Sequence, residues 1–194
     1  RIIKDNGAIV MTASQPFTSK LVMSNLDMFK YEWIWYKSIP SGMMSAKYQP
    51  MKNHENIVVF GKNKLKFNPI KENRSKNTHK TGKGGNYKSN SEHTQKLISI
   101  RKEPSILRLP TTVKYFPNVS RHKSLHPTQK PVALFEYLIK TYTNKGDTVL
   151  DNCAGSGTTG IACKNLNRNF ILIEKEEKYC KIAERRLSQG VLKI

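Results

Sequence analysis

The segment Asp151-Asn152-Cys153-Ala154-Gly155-Ser156-Gly157-Thr158-Thr159-Gly160 constrains the possible folds more than any other part of the chain. It follows Thr148-Val149-Leu150, which reads as a strand, and it opens a helical pattern over Thr158 to Leu166. A second strand-like run, Phe170 to Ile173, ends at Glu174, and Glu176 to Leu187 again has helical spacing. Strand, glycine loop, helix, strand and acid in this order specify a parallel sheet with covering helices. Glycines let the backbone approach a ligand closely, and a helix N-terminus presents unpaired N–H groups. An acid at the tip of the second strand can accept ribose hydroxyls.

Taken literally, Gly155-x-Gly157-x-x-Gly160 matches the dinucleotide fingerprint. Two features argue against NAD. Only 34 residues follow Gly160, too few for the remaining strands of a dinucleotide domain. Asp151, four residues before Gly155, places a carboxylate where a ligand ammonium would be welcome. No Gly-Lys-Ser/Thr follows, so a Walker loop is excluded. S-adenosylmethionine fits better, with an NAD-dependent oxidoreductase fragment as the alternative.

The charge is as unevenly distributed as the motifs. The chain carries 34 Lys and Arg against 14 Asp and Glu, a net +20. Between Lys62 and Lys123, sixteen bases accompany only Glu72, Glu92 and Glu103, so +13 of that total sits there. From Lys71 to Lys96 the one large apolar residue is Tyr87, too little to offset ordering entropy, and a mobile loop is expected. Clustered cations release counterions when they neutralise phosphates, so the expected partner is nucleic acid. Lys71, Arg74, Lys76, Lys80, Lys83, Lys88, Arg101 and Lys102 are the candidate contacts. No amphipathic helix of the kind that binds a membrane surface accompanies them. The longest apolar runs hold four residues, far below the roughly 18 of a membrane span. Cys153, Cys163 and Cys180 show no CxxC spacing, which reads as buried or half-buried thiols in a reducing cytoplasm. His79, His93 and His122 lack ligand spacing, and no metal site is expected.

Upstream, Ala8 to Ala13 reads as a buried strand and Lys20 to Phe29 as a helix. Tyr31 to Lys37 and Ile57 to Phe60 read as strands. Trp33, Trp35 and Tyr36 are expected in the core, and His54 with Glu55 as a structural pair. Pro131 can open a helix whose apolar stripe is Val132, Phe135, Leu138, Ile139 and Tyr142.

His126-Pro127-Thr128-Gln129-Lys130-Pro131, then a helix, then Asp151 to Thr158, resembles the β-class DNA amino-methyltransferases. Gly7 to Thr12, Gln15 to Lys20, Trp33 to Lys37 and Asn53-His54-Glu55 resemble them too, so the likeness covers roughly residues 1–60 and 122–190. That family methylates adenine N6 or cytosine N4. The resemblance implies an α/β fold: a Rossmann-like S-adenosylmethionine-dependent methyltransferase sheet in permuted order, without its N-terminal strands, carrying a basic, loop-rich insertion. Residues 1–61 would form the second half of the sheet, 62–123 the target-recognition region and 124–194 the cofactor-binding half. Asp151, Cys153, Ala154, Gly155, Ser156, Gly157, Thr158 and Glu174 would hold S-adenosylmethionine, with His126, Thr128 and Lys130 on the same pocket. The implied substrate is double-stranded DNA, in a cytoplasmic restriction-modification setting; a homodimer is a further possibility.

One element of the family pattern is absent. The Asp-Pro-Pro-Tyr-type loop binds the target amine, yet no two prolines are adjacent in this chain. The family's strand bearing that loop lies between the strands at Thr148 and at Ala8. With a first residue of Arg1, the chain reads as the C-terminal portion of a longer protein, or as half of a split enzyme completed by a second polypeptide. Alone it is expected to be inactive. A catalytically dead nucleic-acid-binding module is the competing reading.

Overall fold

Ile57-Val58-Val59-Phe60 is buried on both faces, and the fold is organised around it. These residues end β3 (Lys52–Phe60), which pairs antiparallel with β1 (Ile9–Ala13) on one side and β2 (Phe29–Ser41) on the other. β6 (Val113–Phe116) adds to β2 in parallel, giving a four-stranded sheet in the order β1-β3-β2-β6. Alternation along β3 sends Ile57 and Val59 to one face and Val58 and Phe60 to the other. On the first face Trp33 and Trp35 pack with Leu134, Leu138 and Tyr142 of α2 (Val132–Tyr142). On the second, α1 (Phe17–Met23) contributes Leu21 and Val22. The Tyr142 hydroxyl accepts from Trp33 Nε1 at 2.7 Å and lies 2.9 Å from the Tyr31 hydroxyl, so these three polar atoms are paired.

The computed structural model describes residues 2–73, 107–120, 122 and 124–189. The chain divides into two units, Arg1–Asn68 with Thr111–Ile194, and Pro69–Pro110. In the smaller unit β4 (Glu72–Asn73) pairs antiparallel with β5 (Leu107–Arg108), and Arg108 lies 3.6 Å from Glu72. Its exposed Lys71 is described, whereas Arg74, Lys76, Lys80, Lys83, Lys88, Arg101 and Lys102 lie outside the described residues, with most of the expected mobile loop. Both ends of the region expected over 62–123 belong to the larger unit. Asn68 donates from its side chain to the Lys140 and Thr143 carbonyls at the end of α2, and β6 is a strand of the main sheet.

In the larger unit, β7 (Thr148–Asp151) and β8 (Asn169–Leu172) form a separate parallel pair. α3 (Thr158–Asn165) connects them, and α4 (Glu177–Ser188) follows. Ile139 of α2 packs with Ala162 and Cys163 of α3 over Val149 and Phe170, so α2 serves both sheets. The opposite face of β7 and β8 exposes Leu150, Ile171 and Ile173. Among the described residues β1 and β7 each have a strand partner on one side only.

Several expectations change. The helix expected over Lys20 to Phe29 is Phe17–Met23. Ser24 Oγ bonds the Leu21 carbonyl and Asn25 Oδ1 accepts the Met28 N–H, side-chain bonds that compete with further helix. Leu134, outside the expected stripe, is fully buried, while Val132 and Phe135 are only partly so. Tyr36 is 44% exposed, because alternation puts it opposite the buried Trp35. For the same reason His54 points away from Glu55, which pairs instead with two lysines. Cys153 is exposed rather than buried; Cys163 is buried, which raises its thiol to about 11. Among the described residues no helix is long and apolar enough to cross a membrane.

Candidate cofactor site

The glycine loop begins where β7 ends. Asp151 Oδ1 accepts the Cys153 N–H at 3.0 Å, turning the chain, and Oδ2 accepts the Thr159 hydroxyl from the first turn of α3. Ala154 donates to the Ile173 carbonyl at 3.1 Å, tying the loop to the end of β8. Gly155 and Gly157 adopt φ of +52° and +77°, a region that side chains disfavour. The three glycines have different neighbours. A Cβ on Gly155 would meet the His126 ring at 3.4 Å, one on Gly157 would strike the Ala183 Cβ at 2.8 Å, and one on Gly160 would strike Leu172 at 2.9 Å. Gly155 therefore lies under a histidine ring, and the other two are sites of close helix packing.

Glu174 closes the loop. Its Oε2 accepts the Gly155 N–H at 2.8 Å and its Oε1 the Glu176 N–H at 3.0 Å. These backbone donors, Glu176 first and Gly155 second, hold the carboxyl below the usual carboxylate range. Each oxygen retains a lone pair for a ligand hydroxyl.

The segment 126–131 lies against this loop. The His126 ring sits edge-on to Tyr179 of α4 with centroids 4.3 Å apart, and its Nδ1 faces the Thr128 N–H at 3.2 Å and hydroxyl at 3.1 Å. Gln129 Oε1 accepts from the Ser156 hydroxyl at 3.2 Å. Lys130 turns the other way, to Glu55 Oε2 at 3.1 Å, while Lys37 reaches Glu55 Oε1 at 2.7 Å. Both ammonium groups lie over the Trp35 ring, at 5.4 Å for Lys37 and 5.9 Å for Lys130. Burial works against ionisation of Glu55, but bonds to Lys37 and Lys130 outweigh it and keep its carboxyl low. The segment is thus a strap, fastened to the glycine loop by His126 and Gln129 and to the main sheet by Lys130.

Of the expected site residues, Asp151, Ala154, Gly155, Ser156, Gly157, Thr158, Glu174 and His126 form one cluster. Cys153 and Thr128 sit at its exposed margin, and the Lys130 head is committed to Glu55. Sequence reasoning missed Arg186, whose guanidinium donates to the Ser156 carbonyl at 2.5 Å and hydroxyl at 3.1 Å. No local pattern announces it, since it comes from α4, thirty residues downstream. It also missed Gln129, although that residue lies inside the quoted motif.

The chain is 31% identical to the Type II methyltransferase M.HpaI of Haemophilus parainfluenzae over 202 residues, 96% of this chain and 55% of that protein. It is 49% identical to M2.LlaDCHI of Lactococcus lactis subsp. cremoris over 65 residues, 34% of this chain and 24% of that one. The chain therefore spans about half the length of M.HpaI, or less of the shorter match. Among solved structures, the M1.HpyAVI–SAM complex matches with a TM-score of 0.65 and 30% identity, over 97% of this chain and 78% of that one. The cytosine-N4-specific PvuII DNA methyltransferase shares the fold at a TM-score of 0.65 and 18% identity, covering 97% of this chain and 66% of that one. These likenesses do not favour the oxidoreductase alternative. A model of the N6/N4 DNA methylase family spans residues 1–185, and the chain belongs to that family.

Proposed function

We propose that this chain is the cofactor-binding and DNA-recognition portion of a site-specific DNA methyltransferase. The observation that carries the reading is the bond from the Gly155 N–H to Glu174 at 2.8 Å, beneath the strap that carries His126. It joins the two ends of the fingerprint into one cradle. The residues present fit S-adenosylmethionine. When bound, that cofactor supplies an activated methyl group on sulfur. Glu174 accepts the ribose hydroxyls with its remaining lone pairs. Asp151, whose two oxygens each accept one bond from the loop, keeps spare lone pairs for the methionine ammonium, while Ala154, Gly155 and Ser156 carry the backbone under that moiety. Thr158 opens α3 beside them, and Thr128 and Cys153 lie at the rim. Lys130 acts through the strap, by fixing it to Glu55.

The acceptor is an exocyclic amine of adenine or cytosine in double-stranded DNA, flipped out of the stack to reach the methyl group. Lys71, Arg74, Lys76, Lys80, Lys83, Lys88, Arg101 and Lys102 contact the backbone of that duplex. The amine-binding Asp-Pro-Pro-Tyr-type loop comes from polypeptide outside this chain, on a strand inserted between β1 and β7. The one-sided pairing of both strands and the exposed Leu150, Ile171 and Ile173 support this.

Calorimetry of the chain with S-adenosylmethionine and with NAD tests the cofactor; binding of NAD alone refutes the reading. Transfer of labelled methyl to duplex DNA is expected once the completing polypeptide is added. Cofactor and DNA binding without transfer in that complex identifies a catalytically dead module instead.

A further inference from the structure

β2 continues past the end of β6, which pairs no further than Lys37, and runs on to Ser41. This extension is ordered by specific bonds. Asn118 Oδ1 accepts the Ile39 N–H at 3.1 Å, and the Asn118 N–H donates to Ser38 Oγ at 3.0 Å. Gly42, at φ +91°, leads into a 3-10 turn over Met43–Ser45, and the Tyr48 and Gln49 N–H groups both bond the Ser45 carbonyl. The turn is a built structure, yet its large side chains face water. Met44 is 99% exposed, Tyr48 89% and Met43 77%.

Two observations say what covers them. The charge is one-sided: no acid occurs between Glu32 and Glu55, while Lys47 and Lys52 flank the turn. Such a tip repels its own copy and attracts a polyanion. It also rises beside the cofactor site. Trp35 lies opposite Glu55 in the ladder, Glu55 holds Lys130, and the neighbouring Gln129 touches Ser156 of the glycine loop. From Trp35 opposite Glu55 to Ser41 opposite Lys52 the ladder advances three residues on β3, so at about 3.3 Å per residue the paired end of the hairpin stands about 10 Å beyond Trp35. A duplex delivering a base to the rim lies within this reach, since B-DNA grooves are only about 8 Å deep.

We infer that the β2–β3 hairpin tip is a second duplex-contacting element, which enters a DNA groove and lays Met43 and Met44 against a base step as an apolar wedge. The inference rests on the DNA-directed reading above and assigns part of the DNA contact to residues outside the basic region. Methionine is among the side chains that proteins insert between base steps, and unstacking one step is offset by the closer wrap that a kinked duplex permits. The wedge makes no phosphate contact, so its contribution is insensitive to salt.

The test uses the 194-residue chain with duplexes carrying 2-aminopurine, titrated by anisotropy between 50 and 200 mM salt. The Met43→Ser/Met44→Ser variant should bind about tenfold more weakly, with an unchanged salt slope and a reduced 2-aminopurine signal. Lys47→Gln should leave the emission alone and lower the slope by about one. Met44 is 99% exposed, so Met44→Ser should melt with the parent and show a smaller loss of the same kind. Parental affinity and emission in the double variant overturn the inference while leaving the DNA-directed reading intact. A variant that changes only the oligomeric mass, or only binding to anionic vesicles, overturns it in favour of those partners. A parent chain that fails to bind any duplex overturns both readings.

Discussion

Gly157→Ala should destabilise the chain through packing, whether or not cofactor is present. The backbone there has φ +77°, and a Cβ would lie 2.8 Å from the Ala183 Cβ and 3.2 Å from its Cα. A left-handed backbone costs a side-chain-bearing residue about 1–2 kcal/mol. Overpacking against a helix that cannot retreat costs about 1–3 kcal/mol more. α4 is held in place because Arg186, one turn beyond Ala183, bonds the Ser156 carbonyl at 2.5 Å. Urea unfolding of the cofactor-free chain should therefore show a loss of about 2–5 kcal/mol at constant m-value. Ala183→Gly alone should cost about 1 kcal/mol of helix propensity. Combined, the two changes should recover about 1–2 kcal/mol relative to their separate effects, because the Cβ–Cβ collision is gone while the strained φ remains. If Gly157→Ala unfolds within about 0.5 kcal/mol of the parent, or the two changes add, the glycine does not serve helix packing. A loss confined to cofactor affinity would return Gly157 to the ligand-facing role that its motif suggests.

Glu55→Gln leaves the Lys37 and Lys130 ammonium groups, 9% and 18% exposed, without their shared carboxylate. It should cost about 3 kcal/mol by urea denaturation and weaken S-adenosylmethionine binding by loosening the strap; an unchanged midpoint would refute the node. Arg186→Met strips the Ser156 carbonyl of a charge-assisted donor and should cost about 1–3 kcal/mol, partly restored in Arg186→Lys. Glu174→Ala should weaken S-adenosylmethionine binding at least several-fold by calorimetry, and unchanged affinity would remove Glu174 from the site. Asp147 is held at about 2, below its ordinary 3.8, by the Asn144 N–H first and then by Lys66 and Lys4. With the folded value depressed, its stabilisation is present above pH 4 and lost as the pH falls toward 2. Asp147→Asn should flatten the melting temperature over that window, and a profile identical to the parent would refute the pairing.

The parallel β-α-β half was legible because its signals are local. Thr148 to Leu150, Thr158 to Leu166 and Glu176 to Leu187 each carry their own periodicity, and the observed elements fall within a residue or two of them. The glycine loop and its closure by Glu174 could be read from spacing alone. What escaped were interactions between distant segments. Nothing near Arg186 says that its guanidinium will meet Ser156, and nothing near Glu55 says that it will choose Lys130 over the adjacent His54. The extension of β2 to Ser41 was equally hidden, since Ser38 and Pro40 weaken a strand pattern that Asn118, eighty residues on, sustains.

The fingerprint shows most clearly where such reading stops. Its three glycines look equivalent in sequence, each a point where backbone comes close to something. In the fold Gly155 faces the His126 ring and the acid at the tip of β8, Gly157 accommodates Ala183, and Gly160 accommodates Leu172. Only the first faces the strap and the acid; the other two face side chains of α4 and β8, on which α3 settles. Spacing records that close approaches occur, and the identity of each partner depends on the helix that returns over the loop. The measurement on Gly157 therefore separates two physical meanings of one motif. A stability loss without ligand identifies a packing glycine, and an affinity loss at parental stability identifies a binding one.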